Sequence, residues 1–122
     1  MNNKIHSYKD LIIWQKSILL VKEIYKLTRL FPQSEQFGIV TQLRRASVSI
    51  PSNIAEGYGR RTLKERQQFN LMAYGSALEI ETQLLISKKL KLAPANEFIL
   101  SENILLEVIK MLNKITSKAR QK

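Results

Sequence analysis

Residues 42 to 61, which read QLRRASVSIPSNIAEGYGRR, decide the fold. The apolar residues of this stretch recur every three or four positions: Leu43, Ala46, Ile50 and Ile54. Such spacing predicts one face of an α-helix. The helix should end in the turn Gly57 to Gly59, and Thr62 with Glu65 forms a capping box that begins the next helix. The stretch therefore predicts two consecutive helices joined by a tight turn.

A proline lies inside the first of these two helices. Pro51 lacks the N–H group that would bind the carbonyl of Ser47, and its ring crowds that carbonyl. We therefore expect one bent helix over residues 35–57, unless the hydroxyl of Ser47 or Ser49 satisfies the freed backbone group.

The remainder of the chain shows the same periodicity and no sustained alternation with period two. Glycine, proline and capping residues predict further helices over about 8–31, 63–90 and 94–117. Connections of only about four to six residues favour antiparallel neighbours. The sequence predicts an all-α protein, an antiparallel up-down-up-down four-helix bundle, with residues 1–122 in a single domain.

Several helices carry more apolar residues than one core face needs. The inward stripe expected for helix 1 is Leu11, Trp14, Ile18, Val21, Tyr25 and Thr28. The additional stripes are Ile13, Leu20 and Leu27 on helix 1, Leu71, Leu78, Leu85 and Leu92 on helix 3, and Ile104 and Met111 on helix 4. Such wide apolar faces indicate a broad core or burial against another subunit. We expect self-association.

The composition leaves little chemistry for catalysis. The 122 residues include no cysteine and a single histidine, His6, so thiolate metal sites, Glu-x-x-His di-iron sites and Ser/His/Asp triads are excluded. No phosphate-binding loop of the GxxxxGK[ST] type is present. The sequence predicts that the protein is not an enzyme and that it binds no metal and no cofactor.

The charge is strongly positive. Twenty Lys and Arg residues against ten Asp and Glu give a net charge of +10 and an isoelectric point near 10.0. This balance favours polyanions as partners, nucleic acid first. No apolar run is long enough to span a bilayer and no signal-peptide pattern begins the chain, so we expect a cytoplasmic protein without membrane contact.

The turn between helices 2 and 3 concentrates this charge. Arg60, Arg61, Lys64 and Arg66 surround the predicted start of helix 3, where acidic residues are usual. Free N–H groups already attract anions there, which makes these four residues a candidate phosphate site; merely solvated arginines are the alternative. Further basic groups occur near the end of helix 3 and along helix 4, and only Tyr58 is interleaved with the turn cluster, so phosphate contacts rather than base stacking are expected.

Polar residues follow one side of helix 2. The predicted network consists of Arg44, Arg45, Ser49, Asn53, Glu56 and, from helix 3, Glu79. A tight turn would place Ala46 opposite Gly75, with an arginine within one turn of Glu79. A solvated face and a ligand site are the alternatives. The expected close approach predicts that Gly75→Leu destabilises the protein by roughly 1–3 kcal/mol.

These residues also carry a resemblance. The combination RRASVSIPSNIAEG at residues 44–57 and GSALEIE at residues 75–81 closely resembles the four helix bundle family of bacteria, also called the 23S rRNA intervening-sequence proteins. The resemblance covers nearly the whole chain.

The resemblance implies an antiparallel bundle that assembles as a homopentamer. Some members are encoded within insertions of large-subunit rRNA genes, and a related accessory protein of diversity-generating retroelements is a basic pentamer that binds nucleic acid and a reverse transcriptase. It implies no catalytic residue. The leading hypothesis is therefore an oligomeric protein that binds nucleic acid, with RNA favoured; the alternative is an oligomeric scaffold that recruits a protein partner.

Overall fold

The computed structural model describes residues 4–121 and contains four long helices. They are α1 (Ile12–Thr28), α2 (Thr41–Tyr58), α3 (Leu63–Lys89) and α4 (Ile99–Arg120). Short 3-10 or π-helical turns precede α1, α2 and α4, and no β-strand occurs within the described residues. The predicted all-α class and four-helix architecture are confirmed.

The helices form an antiparallel bundle in cyclic order, in which each helix packs against its two neighbours. A cavity of about 430 Å³ shows which termini meet, because its lining includes Leu11 before α1, Tyr58 at the end of α2, Arg66 in α3 and Ile115 in α4. We call this end of the bundle, which carries the turn between α2 and α3, the turn end. None of the described helices is both long and apolar enough to cross a membrane.

The entry into α2 differs from the prediction. The sequence predicts a helix from residue 35, whereas Gln36–Val40 forms a π-helical turn with non-helical dihedral angles at Phe37 and Gly38. The Thr41 hydroxyl donates a hydrogen bond of 2.6 Å to the carbonyl of Gln36 and closes this turn. The regular helix therefore begins five residues after the turn does.

The helix α2 continues through Pro51, which is buried. On both sides of the proline, serine hydroxyls donate to carbonyls of the preceding turn: Ser49 to Ala46 at 2.9 Å and Ser52 to Val48 at 2.8 Å. Side-chain donors of this kind supply hydrogen bonds close to the place where the proline removes one.

The face of α1 that enters the core differs in part from the predicted one. Thr28 of the predicted stripe is buried, and Leu11 and Trp14 pack against the core. Leu20 is 0% exposed, whereas Ile18 of the predicted stripe is 41% exposed. The buried residues of α1 are Ile13, Ser17, Leu20, Ile24, Leu27 and Thr28. Ser17 is tolerated in this face because its hydroxyl donates to the Trp14 carbonyl at 2.7 Å. The supposed additional stripe of α1 is therefore its core stripe.

The other helices leave apolar residues outside the core. Leu78 and Leu85 of α3 and Leu106 of α4 are exposed, while Ile104 and Met111 of α4 are partly buried against the core. Met72 of α3 is also exposed. The surplus of apolar surface expected from the sequence thus exists on α3 and α4.

The close approach of α2 and α3 occurs at Gly57 rather than at Gly75. A Cβ atom on Gly57 would lie 3.0 Å from the Phe69 Cβ and 3.2 Å from the Arg66 carbonyl oxygen, whereas a Cβ on Gly75 would meet nothing within 4 Å. The two helices pair about one turn later along α3 than predicted, since Ser49 contacts Ser76 and Gly57 lies against Phe69.

Candidate nucleic-acid interface

The turn between α2 and α3 is closed by its capping residues. The backbone N–H of Glu65 donates to the Thr62 hydroxyl oxygen at 3.1 Å, and that hydroxyl donates to the Glu65 carboxylate at 3.3 Å. The predicted start of α3 at Thr62 is therefore correct, and it fixes the backbone that carries the cationic side chains.

The structure separates the four predicted phosphate-binding residues into two kinds. Arg60 is tied into the protein: its guanidinium donates to the Glu56 carboxylate at 2.8 Å and lies 4.8 Å from the centre of the Phe69 ring. Arg66 donates to the carbonyl of Arg60 at 3.3 Å. Arg61 and Lys64 are exposed and form none of the ion pairs found among residues 4–121.

The carboxylates at the turn end are engaged by local structure. Glu56 pairs with Arg60, and Glu65 belongs to the cap of α3. Asp10, before α1, accepts hydrogen bonds from the backbone N–H groups of His6 and Ser7, at 2.8 and 3.1 Å, and these bonds lower the pKa of its carboxyl. The positive charge of Arg61 and Lys64 is therefore not cancelled by a contacting carboxylate.

Aromatic rings near the turn are already covered. The Arg66 guanidinium lies 5.5 Å from the centre of the Tyr58 ring. The Arg60 guanidinium lies 4.8 Å from the centre of the Phe69 ring. An arginine therefore already occupies one face of each ring. Phosphate contacts rather than base stacking remain the prediction for this turn.

The predicted polar network is divided between two helix interfaces. Arg44 joins α2 to α1, because its side chain donates to the Thr28 hydroxyl at 2.9 Å and to the Tyr25 carbonyl at 3.4 Å, and stacks 4.4 Å from the centre of the Tyr25 ring. The sequence predicted that an arginine, Arg44 or Arg45, would lie within one turn of Glu79. Arg44 binds α1 instead.

Ser49 and Asn53 belong to the interface between α2 and α3. The Ser49 hydroxyl lies 2.5 Å from that of Ser76, and the Asn53 amide donates to the Ser49 carbonyl at 2.8 Å. Glu56, at the end of the same face, binds only Arg60 among the described residues. The predicted polar network therefore consists of separate local hydrogen bonds on this face of α2.

A buried glutamine, missed in the sequence, connects Glu79 to this interface. The Gln83 amide donates to the Glu79 carboxylate at 3.2 Å and to the Gln42 side-chain oxygen at 3.3 Å. Gln83 follows the core residue Ile80 by three positions, which places it on the same helix face. That spacing was the signal that could have identified it.

Arg45 is exposed and shares a groove of about 440 Å³ with Glu79, Ser49 and Ser76, but the ion pairs between described residues do not join it to Glu79. Within residues 4–121, no group of three or more His, Cys, Asp or Glu side chains is placed to hold a metal ion. The polar groove therefore presents hydrogen-bonding groups of both charges and no cluster of metal ligands.

The fold and the cationic turn define a class of protein, a basic antiparallel four-helix bundle. The chain belongs to the 23S rRNA-intervening sequence protein family, whose model matches residues 9–114. The resemblance that the sequence motifs indicated is thereby confirmed.

A solved structure with the same fold is the crystal structure of a protein with unknown function from the S23 ribosomal protein family of Bacteroides thetaiotaomicron. It is similar at a TM-score of 0.77 and 21% identity over 86% of this chain and 98% of that one. A search of curated proteins finds no match.

Proposed function

We propose that the protein is a non-enzymatic, oligomeric, cytoplasmic protein that binds nucleic acid, RNA in preference, through its phosphate groups. The observation that carries this proposal is the turn end itself, where Arg61 and Lys64 are exposed while the neighbouring carboxylates are engaged elsewhere. A net charge of +10 adds a long-range attraction for polyanions.

Phosphate contacts determine the expected behaviour of the complex. They carry no base information, so affinity should depend little on sequence and steeply on salt. Arg66 contributes a third cation at the turn, because it contacts the Arg60 carbonyl and the Tyr58 ring but forms none of the ion pairs among residues 4–121, whereas the charge of Arg60 is paired with Glu56. The functional set is therefore expected to be Arg61, Lys64 and Arg66, with Arg60 supporting the turn.

Replacing Arg61, Lys64 and Arg66 by Gln should weaken single-stranded RNA and duplex DNA to a similar extent. Each lost contact removes about 0.9 from the slope of log K against log salt for duplex DNA and about 0.7 for a single strand, so the slope should fall by roughly 2–3. Filter-binding titrations between about 50 and 200 mM salt measure it.

The matched control removes three exposed positive charges at the opposite end of the bundle: Arg29, Lys89 and Lys91, all to Gln. It should retain the steeper slope. Absence of any retention by the wild-type protein at about 50 mM salt would refute nucleic-acid binding, and equal losses in the two triple variants would refute the placement at the turn.

We further propose that the protein is a homo-oligomer, a pentamer as the family resemblance implies, assembled through α3 and α4. Leu78 and Leu85 lie seven residues apart along α3, and Leu85 and Leu106 line a groove of about 530 Å³ between the two helices. Covering these side chains with a second copy would remove apolar surface from water.

Light scattering of the wild-type protein should give a mass near five times the chain mass of 14.1 kDa. Leu85→Glu should lower this mass, because it places a charge in the apolar contact. Leu63→Glu, at an exposed apolar residue of the turn end, is the control and should retain the oligomer. A wild-type monomer at all concentrations would contradict the proposal.

A scaffold that recruits a protein is the second candidate. One residue favours it: Phe37, in the π-helical turn before α2, is 97% exposed beside the groove that contains Arg45 and Glu79. Exposed aromatic side chains are frequent anchors of protein interfaces. Failure of the wild-type protein to bind nucleic acid would leave this candidate as the better supported one.

A further inference from the structure

We propose that the last turns of α4 and the turn between α2 and α3 form one continuous phosphate-binding surface, in which Lys114 and Lys118 act together with Arg61 and Lys64. This inference rests on the proposed binding of nucleic acid and specifies the surface. The two clusters are about 50 residues apart in the sequence and are adjacent only in the folded protein.

Contacts between α3 and α4 establish this neighbourhood. The Gln67 side-chain amide, in the second turn of α3, donates to the Ile115 carbonyl of α4 at 3.1 Å. Lys64 precedes Gln67 by three residues and Lys118 follows Ile115 by three, and the helices run antiparallel. One further turn from this bond therefore brings Lys64 and Lys118 to the same level at the turn end.

The end of α4 is held against α3 by its own arginine. The Arg120 guanidinium lies 4.8 Å from the centre of the Tyr74 ring of α3, and it donates to the Asn113 side-chain oxygen and to the Thr116 hydroxyl. Arg120 therefore fixes the last turn of α4 in place. Lys114 and Lys118, on the same segment, are exposed.

These lysines lack neutralising partners in the described structure. Neither forms an ion pair among residues 4–121. The last ten residues of α4 contain no carboxylate, and the acidic side chains across the turn end serve Arg60 or helix caps. The positive charges of the turn, on Arg61 and Lys64, and of α4, on Lys114 and Lys118, therefore reinforce each other.

At the opposite end of the bundle, carboxylates pair with part of the positive charge, although Lys89 and Lys91 are exposed there and form none of the ion pairs among residues 4–121. Lys88 pairs there with Glu102 at 3.0 Å, and Lys26 pairs with Glu23 at 3.7 Å. The carboxylates of the connections at that end include Glu35 and Glu97. A polyanion should therefore engage the turn end, and a strand that crosses it should contact α3 and α4 together.

The test compares two double variants, Lys114→Gln with Lys118→Gln and, as the control of equal charge, Lys89→Gln with Lys91→Gln. The probe is a single-stranded RNA of mixed sequence, about 20 nucleotides long. Two lost contacts should lower the slope of log K against log salt by about 1.4. The ratio of the wild-type affinity to that of the α4 variant should therefore grow about sevenfold as the salt concentration falls from about 200 to about 50 mM. The control should show a much smaller change.

Crosslinking supplies a readout that does not depend on total charge. The chain contains no cysteine, so single-cysteine variants can carry a photoreactive group at one known place. Leu63→Cys and Gln121→Cys place it at the two halves of the proposed surface. Leu90→Cys is the control at the opposite end, since Leu63 and Leu90 are similarly exposed, at 74% and 62%.

Crosslinks of the same RNA to Leu63→Cys and Gln121→Cys, with little to Leu90→Cys, would support the proposal. If the wild-type protein binds RNA but the α4 variant behaves as its control and Gln121→Cys gives no crosslink, the continuous surface is wrong and the turn alone binds. If the wild-type protein binds no RNA, the proposed function itself fails.

Discussion

Replacing Leu20 with Ala should lower the free energy of unfolding by about 2–5 kcal/mol, because the side chain is fully buried and its removal leaves a cavity in the core. The measurement is urea denaturation followed by circular dichroism, at one fixed protein concentration because self-association would add to the apparent stability. This residue lies on the stripe of α1 that the structure, unlike the sequence pattern, assigns to the core.

Ile18→Ala is the matched control on the same helix. Ile18 is partly in solvent, so its truncation should cost less than about 1 kcal/mol, part of which the better helix propensity of alanine offsets. Similar losses in the two variants, or a larger loss at Ile18, would show that α1 turns its other face inward.

Gly57→Leu should destabilise the protein by at least about 2 kcal/mol through overpacking. Even the first added carbon would lie 3.0 Å from the Phe69 Cβ and 3.2 Å from the backbone oxygen of Arg66, and the remaining leucine atoms need further space. Because a backbone carbonyl cannot rotate aside as a long side chain does, α3 would have to move away. Thermal or urea denaturation gives the change.

Gly75→Leu, the same substitution one helix further on, should be neutral or stabilising by up to about 1 kcal/mol. A side chain there meets open space and replaces a residue that weakens helices. This result would reverse the expectation drawn from the sequence. A loss at Gly75 as large as that at Gly57 would contradict the observed register of α2 and α3.

The architecture could be predicted from the sequence because helix spacing and capping residues are local signals. Thr62 and Glu65 identified the start of α3 correctly. The register between helices is not local, because it depends on how far the first turn of α3 extends beyond α2. The predicted register was wrong by about one turn, so the close approach expected at Gly75 is found at Gly57. The choice between two apolar stripes on α1 likewise depends on its neighbours.

The candidate site was predicted in part. The cationic residues of the turn could be read from the sequence, but their partners could not, since the bond from Arg60 to Glu56 and the stacking of Arg44 on Tyr25 require the folded geometry. The spacing of Gln83 from Ile80 places it on a core face, but its bonds to Glu79 and Gln42 require the folded geometry. The proximity of α3 and α4 at the turn end is also a property of the fold.

The carboxylates of the turn end have two roles that cannot be changed separately. Glu65 takes part in the cap of α3, and Glu56 accepts a hydrogen bond from Arg60. Both carboxylates also add negative charge close to the exposed cations. Removing either would make the surface more attractive to a polyanion and would loosen the backbone that presents it. Under the proposed function, stability and affinity are therefore opposed at this end of the molecule, and the proposal predicts that affinity is more readily raised by adding a cation on α4 than by removing an acidic residue at the turn.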